Sequence, residues 1–271
     1  MRIFKMDLKR AILSKSMLIS ILLGLICVSI GIFMEPLKSA LNIYLSNEPD
    51  LTQAAKNHLI GNSMNKATLW HFGNYFYALL MPLICCIPFT VSYLKDKQTG
   101  FNKSIIIRSN YRNYIFSRIA TTFISGFLSI FTICILSLFI INLADSGESF
   151  RSIFYNNTFL SNLNRSNFNL FALLHSIISG FMGGVYAVIG LGISSIVNKT
   201  LIALVSPFAI YYIGTYISSG IGIIKFNPVI VNEFYRYEGI QFNYILTQLV
   251  LLLAVAIIGF LYKTYWSDNF E

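Results

Sequence analysis

The chain has 271 residues, 55% hydrophobic and only 11% charged, with twenty Lys and Arg against eleven Asp and Glu for a formal charge of +9. Nearly all of that charge lies outside six long apolar stretches, at 17–33, 75–94, 119–143, 170–197, 201–217 and 244–262. Each can cross roughly 30 Å of hydrocarbon at about 1.5 Å per helical residue, which excludes an ordinary water-soluble domain. An even number of spans puts both termini on one side. That side holds thirteen basic and four acidic residues, whereas the other holds seven of each. Lys and Arg excess marks the cytoplasmic side, so both termini are expected inside, and the charge needs no nucleic-acid partner to explain it.

Residues 1–15 read as an amphipathic interfacial helix: Phe4, Leu8 and Ile12 recur every fourth residue, backed by Ile3 and Ala11, with Arg2, Lys5, Lys9 and Arg10 elsewhere. Such a helix lies in the inner headgroup layer and makes membrane lipid a partner. The first span is followed by Met34-Glu35-Pro36-Leu37-Lys38, which lacks a small-residue cleavage pattern, so it reads as an uncleaved helix. The outer segment 35–74 carries an acidic capping box at Asp50-Leu51-Thr52-Gln53, opening a helix expected to stop at Gly61-Asn62. His58 and His71 fall in this segment, where ordinary surface roles suffice.

Pro82 and Pro88 in span two and Pro207 in span five remove backbone hydrogen bonds and predict kinks. Cys27, Cys85, Cys86 and Cys134 all fall in spans without metal-type spacing, so they read as small buried apolar residues rather than a disulfide framework. The outer loop 144–169 includes the sequon Asn156-Asn157-Thr158, to which no function attaches. In span four Gly180 and Gly184 form a small-xxx-small packing face, and His175 reads as an interfacial histidine with ordinary partners. Only about three residues, 198–200, separate spans four and five, which makes them a tight hairpin. The link 218–243, with Gly220, Gly222, Pro228, Glu233 and Glu238, could fold back among the spans.

No Asp, Glu, Lys or Arg occupies the centre of a span, which argues against a proton relay. Neither a nucleophile with a base nor clustered metal ligands support an intramembrane enzyme, and no catalytic or metal-binding residue is assigned. The nearest approach to a phosphate loop, Gly192 through Thr200, lacks the second glycine and follows no strand. Any energy for transport must therefore come from another subunit.

The largest cytoplasmic feature is 95–117: Asp96, a glycine break at Gly100, the apolar triplet Ile105 to Ile107, then a basic aromatic stretch leading into span three. A basic loop on anionic lipid would also look like this. The run of Asp96, Gly100, Ser104 to Ile107, Arg108 with Arg112, Tyr114 and Arg118 resembles the membrane subunits of type 2 ABC transporters, the ABC-2 permease group. Asp96 stands where glutamate is more usual, Asn110-Tyr111 where proline is frequent, and Arg118 where lysine is more usual. The resemblance extends architecturally over the whole chain, as an all-α membrane domain of six spans with an amphipathic first helix.

The resemblance implies a permease without its own nucleotide site, paired with a second permease copy and two cytoplasmic ATPase subunits that hold ATP and Mg, in a bacterial cell membrane. Asp96, Gly100, Asn102, Lys103, Ile106 and Arg108 would form the ATPase-coupling segment. Spans two and five would border the cargo path, with Phe76, Tyr77, Tyr211, Tyr212 and Tyr216 as lining residues or members of interfacial aromatic belts. An aromatic, uncharged lining fits an amphipathic or hydrophobic cargo such as a bacteriocin, lantibiotic or cytolytic peptide. The alternative is a non-transporting immunity or sensor protein that captures a peptide with 35–74.

Overall fold

The computed structural model describes residues 2–46, 52–108, 110–145 and 158–267. The chain is all-α: no strand occurs among the described residues. In chain order the helices are α1 (Arg2–Ile12), α2 (Lys15–Ile32), α3 (Lys38–Leu45), α4 (Gln53–Ser63), α5 (Lys66–Ile84), α6 (Ser92–Gln98) and α7 (Phe101–Arg108). There follow α8 (Tyr111–Ala144), α9 (Ser161–Ser166), α10 (Phe168–Ile196), α11 (Thr200–Gly220), α12 (Pro228–Asn232) and α13 (Phe242–Ser267).

Five helical stretches are long and apolar enough to cross a membrane: Lys15–Leu45, Tyr111–Ala144, Phe168–Ile196, Thr200–Gly220 and Phe242–Thr264. α10 is the central one, with 78% of its most apolar segment buried, against 17% for α11 and 22% for α13. The outward faces of the peripheral helices carry Leu18, Leu22, Ile213, Val255 and Ile258, all exposed, an apolar belt that water would not tolerate on this scale. The chain therefore has the surface of a multi-pass membrane protein.

The first span does not end at Pro36. A π-helical turn, Phe33–Leu37, carries the helix through that proline into α3. The wider turn accommodates a residue that has no N–H to give. In the outer segment Thr52 is the N-cap of α4, its hydroxyl accepting from Ala55 N at 3.3 Å. α4 runs to Ser63, just past the expected Gly61-Asn62 stop. Asp50 and Leu51 of the expected capping box, and Asn156 and Asn157 of the sequon, lie outside the described residues.

The stretch read as span two is broken. α5 stops at Ile84, turns occupy the residues up to Val91, and α6 begins at Ser92. Pro88 cannot donate to the carbonyl four residues back, and that Ile84 carbonyl instead accepts the Ser20 hydroxyl at 3.0 Å. Cys86 and Thr90 in the break face Gly190 of α10 and Pro207 of α11, where a β-carbon on Gly190 would collide with Thr90 and crowd Pro207 and Cys86.

α8 and α10 form the tightest pair, through small residues. Gly126 and Gly183 bring the two backbones together, while Gly180 and Gly184 receive the rings of Phe127 and Phe123. The buried hydroxyls along this seam bond back to their own helix, as Thr122 Oγ1 to Arg118 O at 2.7 Å and Ser129 Oγ to Gly126 O at 2.9 Å. They demand no partner across the interface. All four cysteines are free thiols; Cys85, Cys86 and Cys134 are buried and Cys27 is half-buried.

Candidate functional site

The densest polar site lies at the basic end of the bundle, where α1, α6, α7 and α8 meet. Its centre is Arg118, about two turns into α8 and fully buried. Its Nη2 donates to Asp96 Oδ2 at 2.5 Å and its Nη1 to Ser92 Oγ at 3.3 Å, both on α6. Nε lies 3.7 Å from Asp7 Oδ2 on α1. The guanidinium also sits 5.0 Å from the Tyr114 ring and 5.5 Å from the Phe89 ring. Asp96 takes a second, bidentate pairing from Arg10 of α1, with Nη1 and Nη2 each 3.0 Å from a carboxylate oxygen.

Two carboxylates and two guanidinium groups thus balance, with Ser117 Oγ donating to Asp7 Oδ2 at 2.8 Å. Burial pushes the Asp7 carboxyl above its ordinary range, against the opposing pull of Arg118 and Ser117. The bond from Asp96 holds Arg10 protonated more firmly than usual, with burial opposing. This arrangement joins α1, the helix α6 after the break and the longest helix, α8, through groups that cannot separate without leaving a buried charge unpaired.

The segment 95–108 hangs from this network. Gly100 separates α6 from α7 with φ +70°, a left-handed conformation that glycine adopts without strain. Space around it is open, so its requirement is conformational rather than steric. Asn102 Oδ1 accepts the Tyr114 hydroxyl at 2.6 Å, fastening α7 to α8. Ile105 is the buried member of the apolar triplet, packing with Tyr93, Tyr114, Leu191 and Phe260. Ile106 is partly buried against that cluster, whereas Ile107 is 84% exposed and Phe101 42% exposed. The side chains of Lys103 and Arg108 lie outside the described residues. Gln98 Nε2 donates to Asn198 O at 2.9 Å, and Tyr111 OH to Thr264 O at 2.9 Å, which link the segment to the hairpin before α11 and to α13.

Asp7 and Arg10 are the members that sequence reading missed as partners. The signal was present: Asp7 lies at i+4 from Ile3 and i−4 from Ala11, in line with an apolar stripe where a lone acid needs a cation. The observed buried face of α1 is Asp7 and Ala11, while Ile12 of the expected apolar face is 38% exposed.

The five aromatic residues expected along a cargo path divide. Tyr77 and Tyr211 are buried inside the bundle, Tyr211 edge-on to Tyr186 at 5.3 Å. Phe76 and Tyr212 are partly buried, with Tyr212 OH donating to Leu79 O at 3.2 Å and so tying α11 to α5. Tyr216 is 75% exposed. Tyr77 and Tyr211 therefore lie in the packed interior at α5 and α11 rather than on exposed faces of those helices.

At the opposite end the link 218–243 folds back among the helices, burying Val231, Asn232, Glu233, Phe234 and Tyr235. His175 Nε2 meets Asn232 O at 3.3 Å, and its ring stands 5.0 Å from Tyr235 and 5.7 Å from Trp70. His71 is not a surface residue: Arg236 donates to its ring Nδ1 at 3.3 Å and its carbonyl at 3.2 Å, while lying 4.7 Å over Tyr75. Glu233 Oε2 pairs with Arg236 at 2.7 Å, and Glu233 Oε1 is buried without a hydrogen-bond partner among the described residues. Burial raises the Glu233 carboxyl to about 7, with Arg236 pulling the other way.

No group of three or more His, Cys, Asp or Glu that could hold a metal occurs among the described residues. Comparison of the chain with protein-family models, with curated proteins and with solved structures found no match.

Proposed function

We propose that this chain is the permease subunit of an ATP-driven exporter of the ABC-2 type, moving an amphipathic or hydrophobic cargo, a peptide by preference, out of a bacterial cell. In this reading both termini are cytoplasmic, the broken α5 to α6 stretch is a sixth span, and a second permease copy and two ATPase subunits complete the complex. ATP is consumed in the partner.

The observation that carries the reading is the joint between the coupling segment and the spans. α7 offers Ile107 and Phe101 outward as an apolar tip, and behind it Asn102, Asp96 and Arg118 connect it to α8, α6 and α1. A push on that tip from a closing ATPase pair would be delivered through Asp96 to Arg118 and to the proline-broken span. Charge pairs in a buried setting suit this, since the elements must move together or break the pairs. The Cys86, Thr90, Gly190 and Pro207 crossing is where such a displacement would reach α10 and α11.

The test is purification of the tagged protein from its native membrane. Recovery of a Walker-motif ATPase at equal stoichiometry, with its activity altered by Gly100→Val, is the expected result. Absence of any ATPase, under detergent conditions where known complexes survive, would shift the reading to a peptide-binding immunity or sensor protein.

A further inference from the structure

Beside the charge network lies a cavity of about 490 Å³, between the turn joining α1 to α2, the break before α6 and the start of α11. Its size falls within the range of specific small-ligand pockets, roughly 300–1,000 Å³. Its lining is divided in character. Arg10, Ser14, Lys95 and Thr200 supply the polar groups, and Leu201 and Leu204 lie among the apolar ones. A second cavity, also bounded by Arg10 and Lys95, opens along Gly100 and Ser104. The two cations thus stand between a compartment bordered by the apolar α11 and one bordered by the coupling segment.

The charge at this place is not cancelled. Asp96 and Asp7 are absorbed by Arg10 and Arg118, leaving Lys95 without a carboxylate in ion-pair range among the described residues. Lys9, Lys15 and Lys199, each next in sequence to a residue lining the cavity, have no such partner either. An occupant must therefore bring negative charge for the lysines, a hydrogen-bond acceptor for the Thr200 hydroxyl, and hydrocarbon for the leucines, the Ser14 proton being already given to Ala11 O at 2.8 Å. An anionic phospholipid meets all three demands, whereas a free anion leaves the apolar wall unused and a neutral lipid leaves the lysine excess unmatched.

We propose that this cavity is a binding site for one anionic phospholipid of the leaflet on the basic side, its phosphate held at Lys95 and Thr200 and an acyl chain lying along Leu201 and Leu204. The site uses no feature of the ATPase or the cargo. It also gives the lipid a place against the network, since Arg10 lines the cavity and pairs with Asp96 at 3.0 Å.

The experiment is native mass spectrometry of the detergent-purified chain, titrated with phosphatidylglycerol or with phosphatidylcholine of the same acyl chains. A single basic residue near a membrane surface contributes about fivefold to anionic lipid binding, so one retained phosphatidylglycerol per protomer, at about fivefold preference set by Lys95, is expected. Lys95→Glu should remove that preference, and Leu204→Trp, which fills the cavity, should lower retention of both lipids. Lys97→Glu, an equal charge change on the same helix outside the cavity, should leave the preference intact. Size-exclusion chromatography of each variant checks its fold. Equal retention of the two lipids by the wild type overturns the proposal, as does equal loss in Lys95→Glu and Lys97→Glu, which would mean diffuse surface charge. Displacement of the lipid by an equal concentration of glycerol phosphate also overturns it, in favour of a site for free phosphate. The outcome is read without an ATPase, so it stands or falls separately from the permease reading.

Discussion

The two ends of the bundle both bury charge, and they do so differently. At the basic end, Arg118 and Arg10 meet Asp7 and Asp96, residues drawn from three helices and separated by as many as 111 positions in the chain, Asp7 to Arg118. At the other end the ion pair is local, Glu233 with Arg236 three residues on, closed over by His71, Tyr75 and a box of rings around His175. The first arrangement ties helices to one another; the second seats a link upon them. Pairs drawn from several helices resist separation of those helices, while Glu233, whose one charged partner is three residues away, responds to its protonation state without parting any helices.

The largest effect should come from breaking the balance. Arg118→Met leaves Asp7 and Asp96 buried without their shared cation, and should cost about 3–5 kcal/mol in unfolding measured in detergent. Combining it with Asp7→Asn and Asp96→Asn should return much of that loss, because neutral amides need no counter-charge. Failure of the triple variant to recover would mean that the residues matter for packing rather than for charge.

The end that holds Glu233 should show a dependence on pH. Burial lifts the Glu233 carboxyl from 4.5 to about 7. The folded state therefore holds a proton that the unfolded state has lost, and stability falls as pH rises between those two values. The full swing is on the order of 3 kcal/mol. Subtracting the Glu233→Gln melts from those of wild type between acid and neutral pH should isolate this slope, because His71, whose neutral form burial favours down to about 4, adds an opposite slope common to both. An unchanged slope in that variant would assign the titration elsewhere and remove the contrast between the ends.

Gly183→Leu lies midway, where a side chain would be driven into Ile130 and the Gly126 backbone. It should destabilise by about 1–3 kcal/mol, and hydrogen exchange should rise at both ends alike. A rise at one end alone would show that the seam between α8 and α10 belongs to that end. The smallest effect on stability is expected of Gly100→Val, about 1 kcal/mol from a β-branched residue at positive φ, confined by exchange to α6 and α7.

Much of this arrangement was legible in the chain. Gly100 as a break, Pro88 as a disruptor of the apolar stretch 75–94, and Gly180 with Gly184 as a packing face follow from local chemistry, whereas Pro82 and Pro207 lie inside helices that continue past them. Asp96 was singled out by its place in the segment, but not its double pairing. His71 and His175 read as ordinary surface or interfacial residues because nothing in their flanking sequence announces Arg236 or Asn232.

The sequence by itself determined the class of the protein and where its helices break. Apolar run length and the positions of proline and glycine act within a few residues, so they can be read along the chain. Only the tertiary structure decided that Pro36 would be passed by a π-helical turn, that α1 would turn Asp7 inward, and that Tyr77 and Tyr211 would pack inside. It also decided that Arg10 and Lys95 would border one cavity. Charge pairing and cavity shape depend on distances between residues far apart in the chain, which the packing of α8 against α10 and the break before α6 fix together.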